Sequence, residues 1–153
     1  MVHGRLLGVD TGDERTGLAV CDERGRIAVP LAIIERRGRA LDRVADDVAK
    51  RAREAGVEGI VIGLPLNMDG SEGAQARKAR AFGRRLAART GLPLAYHDER
   101  LSSFSVEHVL QSGSARGRSA RRRVDDLAAA AILQAYLDRS AVAADSQSCA
   151  QTP

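Results

Sequence analysis

Residues 5–25, RLLGVDTGDERTGLAVCDERG, hold two short apolar runs, LLGV and GLAV, on either side of a glycine-containing turn. Apolar runs of this length bounded by turn residues are strand signals, and so short a connection makes the pair an antiparallel hairpin. The first run ends on Asp10, which puts a carboxylate where the chain leaves a strand. A residue so placed has three uses. It can form a turn by bonding local backbone, serve as one arm of a metal site, or belong to a phosphate-gripping hairpin. A third run, IAVPLAII at 27–34, follows the turn signal Arg24-Gly25. Strands are therefore expected at about 5–10, 16–22 and 27–34.

The pattern then changes period. Leu41, Val44, Val48, Ala52 and Ala55 recur at three- and four-residue spacing and predict a helix, with Gly56 as its C-terminal cap. GIVIGLP at 59–65 is apolar without alternation, as in a strand buried on both faces. A turn-rich loop, NMDGSEG, leads into a basic helix from about Gln75 to Arg89 that turns Ala79, Phe82 and Leu86 inward and stops at Gly91 and Pro93. PLAYHDE is a further buried strand, and a short helix is expected from Ser102 or Ser103. SGSARGRSARRR reads as a flexible basic loop, VDDLAAAAILQAYLD as a last helix, and the small, polar residues 139–153 as a disordered tail.

The order βββαβαβαα gives a mixed five-stranded α/β sheet: three antiparallel strands, then parallel strands through helical crossovers, with helices on both faces. Residues 1–138 form one domain. In open sheets of this kind ligands sit beyond the carboxyl ends of the parallel strands, where Asp10 and the HDE segment with Asp98 and Glu99 both fall.

Composition narrows the partners. Aromatics make up 3% of the 153 residues, so the core is aliphatic and few rings are available to stack single-stranded bases. The net charge of +4 favours an anionic partner, nucleic acid first. Only Lys50 and Lys78 of the 24 cationic residues are lysine, a bias that genome composition also produces, so where the charge lies matters more than its sum. Cys21 and Cys149 form no C-x-x-C pair, which argues against a zinc site or a disulfide scaffold. The apolar runs near Leu6 are too short for a leader and are interrupted by Asp10, and no run reaches the length of a membrane span; a cytoplasmic protein is expected.

Three acids stand at element boundaries: Asp10 ends the first strand, Glu99 ends the last, and Asp125 opens the last helix. Carboxylates brought together repel unless a cation joins them. A hard divalent ion such as Mg2+ prefers oxygen ligands, and two such ions can clamp the attacking and leaving oxygens of an in-line phosphodiester hydrolysis. Each acid also has an ordinary use: a turn for Asp10, a surface ion pair with Arg100 for Glu99, helix-dipole compensation for Asp125, with Asp126 competing for either role. His97 abuts these positions, but a lone histidine at a strand end is more often structural. Arginines at 116, 118 and 121–123 border the candidate site and suit a nucleic-acid backbone, as do the cations from Arg77 to Arg89 along the second helix, unless each is only a solvated face.

Taken together, LGVDTGDERTGLAV, IVIGLPLNMDGSEG, HDERLSS and VDDLAAAAILQAYLD resemble the YqgF (RuvX-like) family, in the family's order and over nearly the whole chain to Asp138. GLPLNMDG and HDER in one chain are far more specific than any single carboxylate. The resemblance implies an RNase H-like fold and a cytoplasmic nuclease dependent on Mg2+ or Mn2+. Its substrate would be precursor 16S ribosomal RNA at the 5′ end or, alternatively, a Holliday junction. It makes Asp10, Glu99 and Asp125 the catalytic and metal-binding acids. Arg15, Asn67, Arg100, Arg116, Arg118, Arg121, Arg122 and Arg123 are the expected substrate contacts. Many members carry lysine in the stretch that here reads Arg121-Arg122-Arg123, so no specific lysine role carries over.

Readings from other classes remain at this point. A phosphate hairpin of the actin and sugar-kinase type shares the DTGDERTGLAV pattern, but that fold builds its cleft from two such domains and this chain supplies one. A non-catalytic ribosome or transcription factor would use the basic surface alone, independent of metal. Junction resolution needs two coordinated cuts and a symmetric dimer; the oligomeric expectation is a monomer or homodimer.

Overall fold

The computed structural model describes residues 2–102 and 118–149, without the side chains of 118–126 and 148–149. Five strands form one sheet: β1 (Leu6–Thr11), β2 (Arg15–Cys21), β3 (Ala28–Glu35), β4 (Gly59–Leu64) and β5 (Leu94–Asp98), in the order β3-β2-β1-β4-β5. β1 pairs antiparallel with β2 and β2 with β3, while β4 lies parallel to both β1 and β5. This is the mixed sheet expected. Each strand lies within about a residue of its expected range, because turn chemistry at Gly12 and Gly25 punctuates the apolar runs.

Helix α1 (Leu41–Ala55) ends at Gly56, whose left-handed φ of 64° suits glycine and whose N–H returns to the Ala52 and Arg53 carbonyls. Helix α2 (Ala74–Thr90) buries Ala79, Phe82 and Leu86 as its spacing requires. Both pack on one face of the sheet against Leu7, Val9, Leu18, Ile60 and Ile62. Helix α3 (Arg118–Cys149) covers the other face, where Ala129, Ile132, Leu133 and Tyr136 meet Leu6, Ala19 and Val61. Alternation along β1 and β4 deals successive side chains to the two cores. No described helix is long and apolar enough to cross a membrane.

Two expectations change. The last helix begins at Arg118 rather than at Val124 and runs on to Cys149 rather than ending at Asp138. Arg118 and Arg121–Arg123 thus belong to a helix, not a loop. Residues 139–149 hold Ala141, Ala143 and Ala144 and neither glycine nor proline, so local propensity extends the helix past its packed part. The short helix expected from Ser102 or Ser103 falls on 103–117, outside the described residues; ahead of it Glu99–Leu101 form a 3-10 turn capped by Asp98.

The basic face of α2 is largely paired. Arg85 reaches Asp42 at 3.0 Å, Arg89 reaches Asp46 at 2.6 Å and Asp42 at 3.2 Å, and Lys78 reaches Asp13 at 2.9 Å. Arg80 pairs with Glu72 and lies 4.7 Å above the Tyr96 ring. Arg85 and Arg89 thus join α2 to α1 and Lys78 joins it to the β1–β2 turn, so a phosphate on this face would compete with carboxylates already in place.

Close approach of α3 depends on glycine. A Cβ at Gly8 would stand 2.7 Å from Leu133 Cβ and 3.0 Å from the Ala129 carbonyl oxygen. The second neighbour is backbone, so the helix itself would have to shift. Gly8→Ala is therefore expected to cost about 1–3 kcal/mol of stability. Thermal unfolding reads this as a loss of about 2–4 °C per kcal/mol in a chain of this size.

Candidate active site

The parallel strands β1, β4 and β5 end at one edge of the sheet, and Asp10 and Glu99 lie there on the α3 face. Asp10 lies two residues beyond Gly8, on the same face, and pairs across to Gly17 on β2. Glu99 follows β5 directly and folds back over β4: a Cβ at Gly63 would stand 2.6 Å from Glu99 Oε1 and 2.6 Å from Ile132 Cδ1. The missing side chain at Gly63 is thus the space that the Glu99 carboxylate occupies. A glycine inside an apolar strand signals such an approach, and this was the one cue in GIVIGLP to a site residue outside the acids.

Glu99 is half-buried, and burial pushes its carboxyl up to about 7, with the negative charges of Asp10 and then Asp98 adding to the rise. That influence of Asp10 on Glu99 brings two sequence-distant acids into one electrostatic site. Asp98, the adjacent acid, is differently used. Arg100 grips it through Nε, Nη2 and the backbone N–H at 2.7–3.1 Å, which holds the Asp98 carboxyl below the usual range. The two acids of HDER are therefore sorted by environment: one neutralised by a bidentate guanidinium, the other turned toward Asp10.

Asp125 lies on α3 one turn before Ala129, whose carbonyl sits over Gly8. Farther along the same helix, Tyr136 Oη accepts the Val2 N–H at 2.8 Å, so α3 runs antiparallel to β1. Its N-terminal turns consequently point toward the Asp10 end of the strand. The Asp125 side chain lies outside those described, and among the described residues no three His, Cys, Asp or Glu groups form a metal cluster.

The expected substrate contacts divide. Arg15 stands on the Asp10 face of β2 and approaches Glu35 at 4.0 Å. Asn67 closes its own loop, donating from Nδ2 to Ser71 Oγ at 2.9 Å. Arg100 joins Asp98 to that loop by donating from Nη1 to the Met68 carbonyl at 3.2 Å. Asn67 and Arg100 thus hold the rim of the site together. Arg116 lies outside the described residues; Arg118 and Arg121–Arg123 lie on the first turns of α3, their side chains outside those described. His97 is buried, edge-on to Tyr136, and desolvation lowers its pKa, in keeping with a structural role.

A divalent cation suits these acids. A carboxyl raised first by burial and then by two like charges, with no described Lys or Arg pairing with it, gains when a hard cation neutralises it. Gly63→Ala is expected to displace Glu99 and to lower any activity that depends on it, with a stability loss of about 1–3 kcal/mol. Parallel melting and cleavage assays separate the two effects, because Gly8→Ala shares the packing defect without touching Glu99.

The family described as RuvX, Holliday junction resolvase, matches residues 4–139. Curated relatives named "Putative pre-16S rRNA nuclease" include one from Anaeromyxobacter dehalogenans, 50% identical over 90% of this chain and 98% of its own length. Another, from Moorella thermoacetica, is 43% identical over 88% and 95%. Among solved structures, a Thermus thermophilus RuvC in complex with a Holliday junction substrate superposes with a TM-score of 0.59 at 16% identity, covering 90% of this chain and 97% of that one. The shared fold is that of RuvC.

Proposed function

The chain belongs to the RuvX family, and from that membership we propose that it is a divalent-metal-dependent endonuclease of structured nucleic acid, acting in the 5′ processing of pre-16S ribosomal RNA in the cytoplasm. The observation that carries this reading is the meeting of Asp10 and Glu99 at the carboxyl edge of the sheet, with Glu99 raised to about 7. The names of the curated relatives support the substrate. Asp10, Glu99 and, from α3, Asp125 would hold Mg2+ or Mn2+. When bound, the metal supplies Lewis-acid activation for in-line phosphodiester hydrolysis, two ions being the form expected for this chemistry.

The chain's own residues do the rest. Glu99 would have to give up its proton to hold a cation, so its elevated pKa would couple metal loading to pH. Gly63 leaves room for that carboxylate, and α3 closes the site from the opposite side. Arg15 and the arginines 116, 118 and 121–123 supply positive charge to hold the phosphate backbone. The Asp98–Arg100 pair sets the rim.

The family's description favours a second substrate, the four-way DNA junction, which would call for a symmetric dimer. Purified protein is tested on a pre-16S leader fragment and on junction DNA, with Mg2+ and with chelator. Metal-dependent cleavage of the RNA is the expected result. Preferential junction cleavage selects the second substrate. Binding without cleavage on either overturns the enzyme reading in favour of a non-catalytic factor.

A further inference from the structure

Met68 is 94% exposed in the loop between β4 and α2, beside the acidic edge. The loop beneath it is braced. The Asn67 N–H donates to the Ser71 carbonyl at 2.9 Å and the Gly70 N–H to the Asn67 carbonyl at 2.9 Å. The Ser71 hydroxyl donates to Asp69 Oδ1 at 2.6 Å. From the other side Arg100, the residue after Glu99, holds the Met68 carbonyl while its remaining nitrogens grip Asp98. An apolar side chain is thereby held out in water, its backbone tied to the neighbour of a site acid. Leu101, two residues past Glu99, is a second exposed apolar side chain in this segment, at 46%.

The described aromatic rings cannot serve here. Phe82 and Tyr136 are buried, and Tyr96 packs on the core. Methionine is the polarizable, adaptable alternative for contact with a flat π face, and apolar wedges of this kind part stacked bases.

We infer that Met68 is a substrate-positioning wedge: its thioether side chain packs against a nucleobase next to the cleaved phosphate and fixes the strand over Asp10 and Glu99. The inference rests on the nuclease reading above. It gives the Asn67–Ser71 and Arg100–Met68 hydrogen bonds a purpose, since a wedge works only from a stiff support.

The test places 2-aminopurine on either side of the cleaved bond in the pre-16S leader fragment, and in parallel at the crossover of the DNA junction. Fluorescence is read with Ca2+ and cleavage with Mg2+, using the full chain. Wild-type protein is expected to raise the fluorescence at one labelled base. Met68→Ser should abolish that rise and slow cleavage about tenfold, the low end for loss of a stacking side chain, at an unchanged melting temperature. Met68→Leu should restore both. If Met68→Ser matches wild type in fluorescence and cleavage, the wedge is overturned while the nuclease reading stands. Wild-type protein that neither binds nor cuts either substrate overturns both.

Discussion

Asp10→Asn is expected to reduce Mg2+-dependent cleavage of a pre-16S leader fragment by more than about 100-fold. Loss of a group that merely orients a metal ligand costs about 10–100-fold, and loss of the ligand itself exceeds that. Asparagine keeps the size of the side chain and its capacity to bond the turn, but it carries no charge. The fold is therefore expected to survive. The substitution has a second, independent readout. Asp10 is the largest charge effect raising Glu99, so in Asp10→Asn the Glu99 carboxyl should titrate at a lower pH, observable by NMR of the labelled side chain. Undiminished cleavage by the purified variant would remove Asp10 from the metal site and leave it a turn residue.

Glu99→Gln is expected to abolish cleavage to a similar degree while stabilising the metal-free protein at alkaline pH. The sign follows from proton linkage. Glu99 titrates at about 7 in the folded chain against 4.5 for the free side chain. Between those values the folded state holds more protons than the unfolded state, so stability falls as pH rises through the window. Glutamine has no such dependence. The melting curves of wild type and variant should diverge from about pH 4.5 upward and stay apart above pH 7. Discounted for the partial exposure of Glu99, the gain is on the order of 1 kcal/mol, or about 2–4 °C. Mg2+ should reverse the order by stabilising the wild type alone, with apparent affinity rising as pH passes through about 7, because the proton must leave first. A variant that melts with the wild type at every pH would mean that Glu99 is ordinarily solvated and not part of a repelling pair.

Much of this was legible along the chain. Apolar runs and their turn residues predicted all five strands, and the helical spacing of Val44, Val48, Phe82 and Leu86 predicted which faces go inward. These features are local: side-chain period and glycine or proline punctuation act over a few residues, so a single segment carries the information. The ends of α3 are not marked in sequence because arginine-rich RSARRR before it and alanine-containing residues 139–149 after it extend a helix without any hydrophobic pattern.

Residue order alone is enough for the strand and helix order, the candidate acids and the place of Asp10 at a strand end. Within HDER, Glu99 is picked as the acid at the strand's end and by the family pattern, yet Asp98 and Glu99 are adjacent and chemically alike, and the strand in fact ends on Asp98. Tertiary structure separated them. Arg100 neutralises Asp98, and the bare surface of Gly63, on a strand more than thirty residues away, receives Glu99 beside Asp10. The same holds for the basic helix, whose arginines look free in sequence and meet Asp42 and Asp46 only after α1 and α2 pack side by side. Charge and burial depend on distances through space, and a carboxylate's state is set by whichever residues the fold brings within a few ångströms of it.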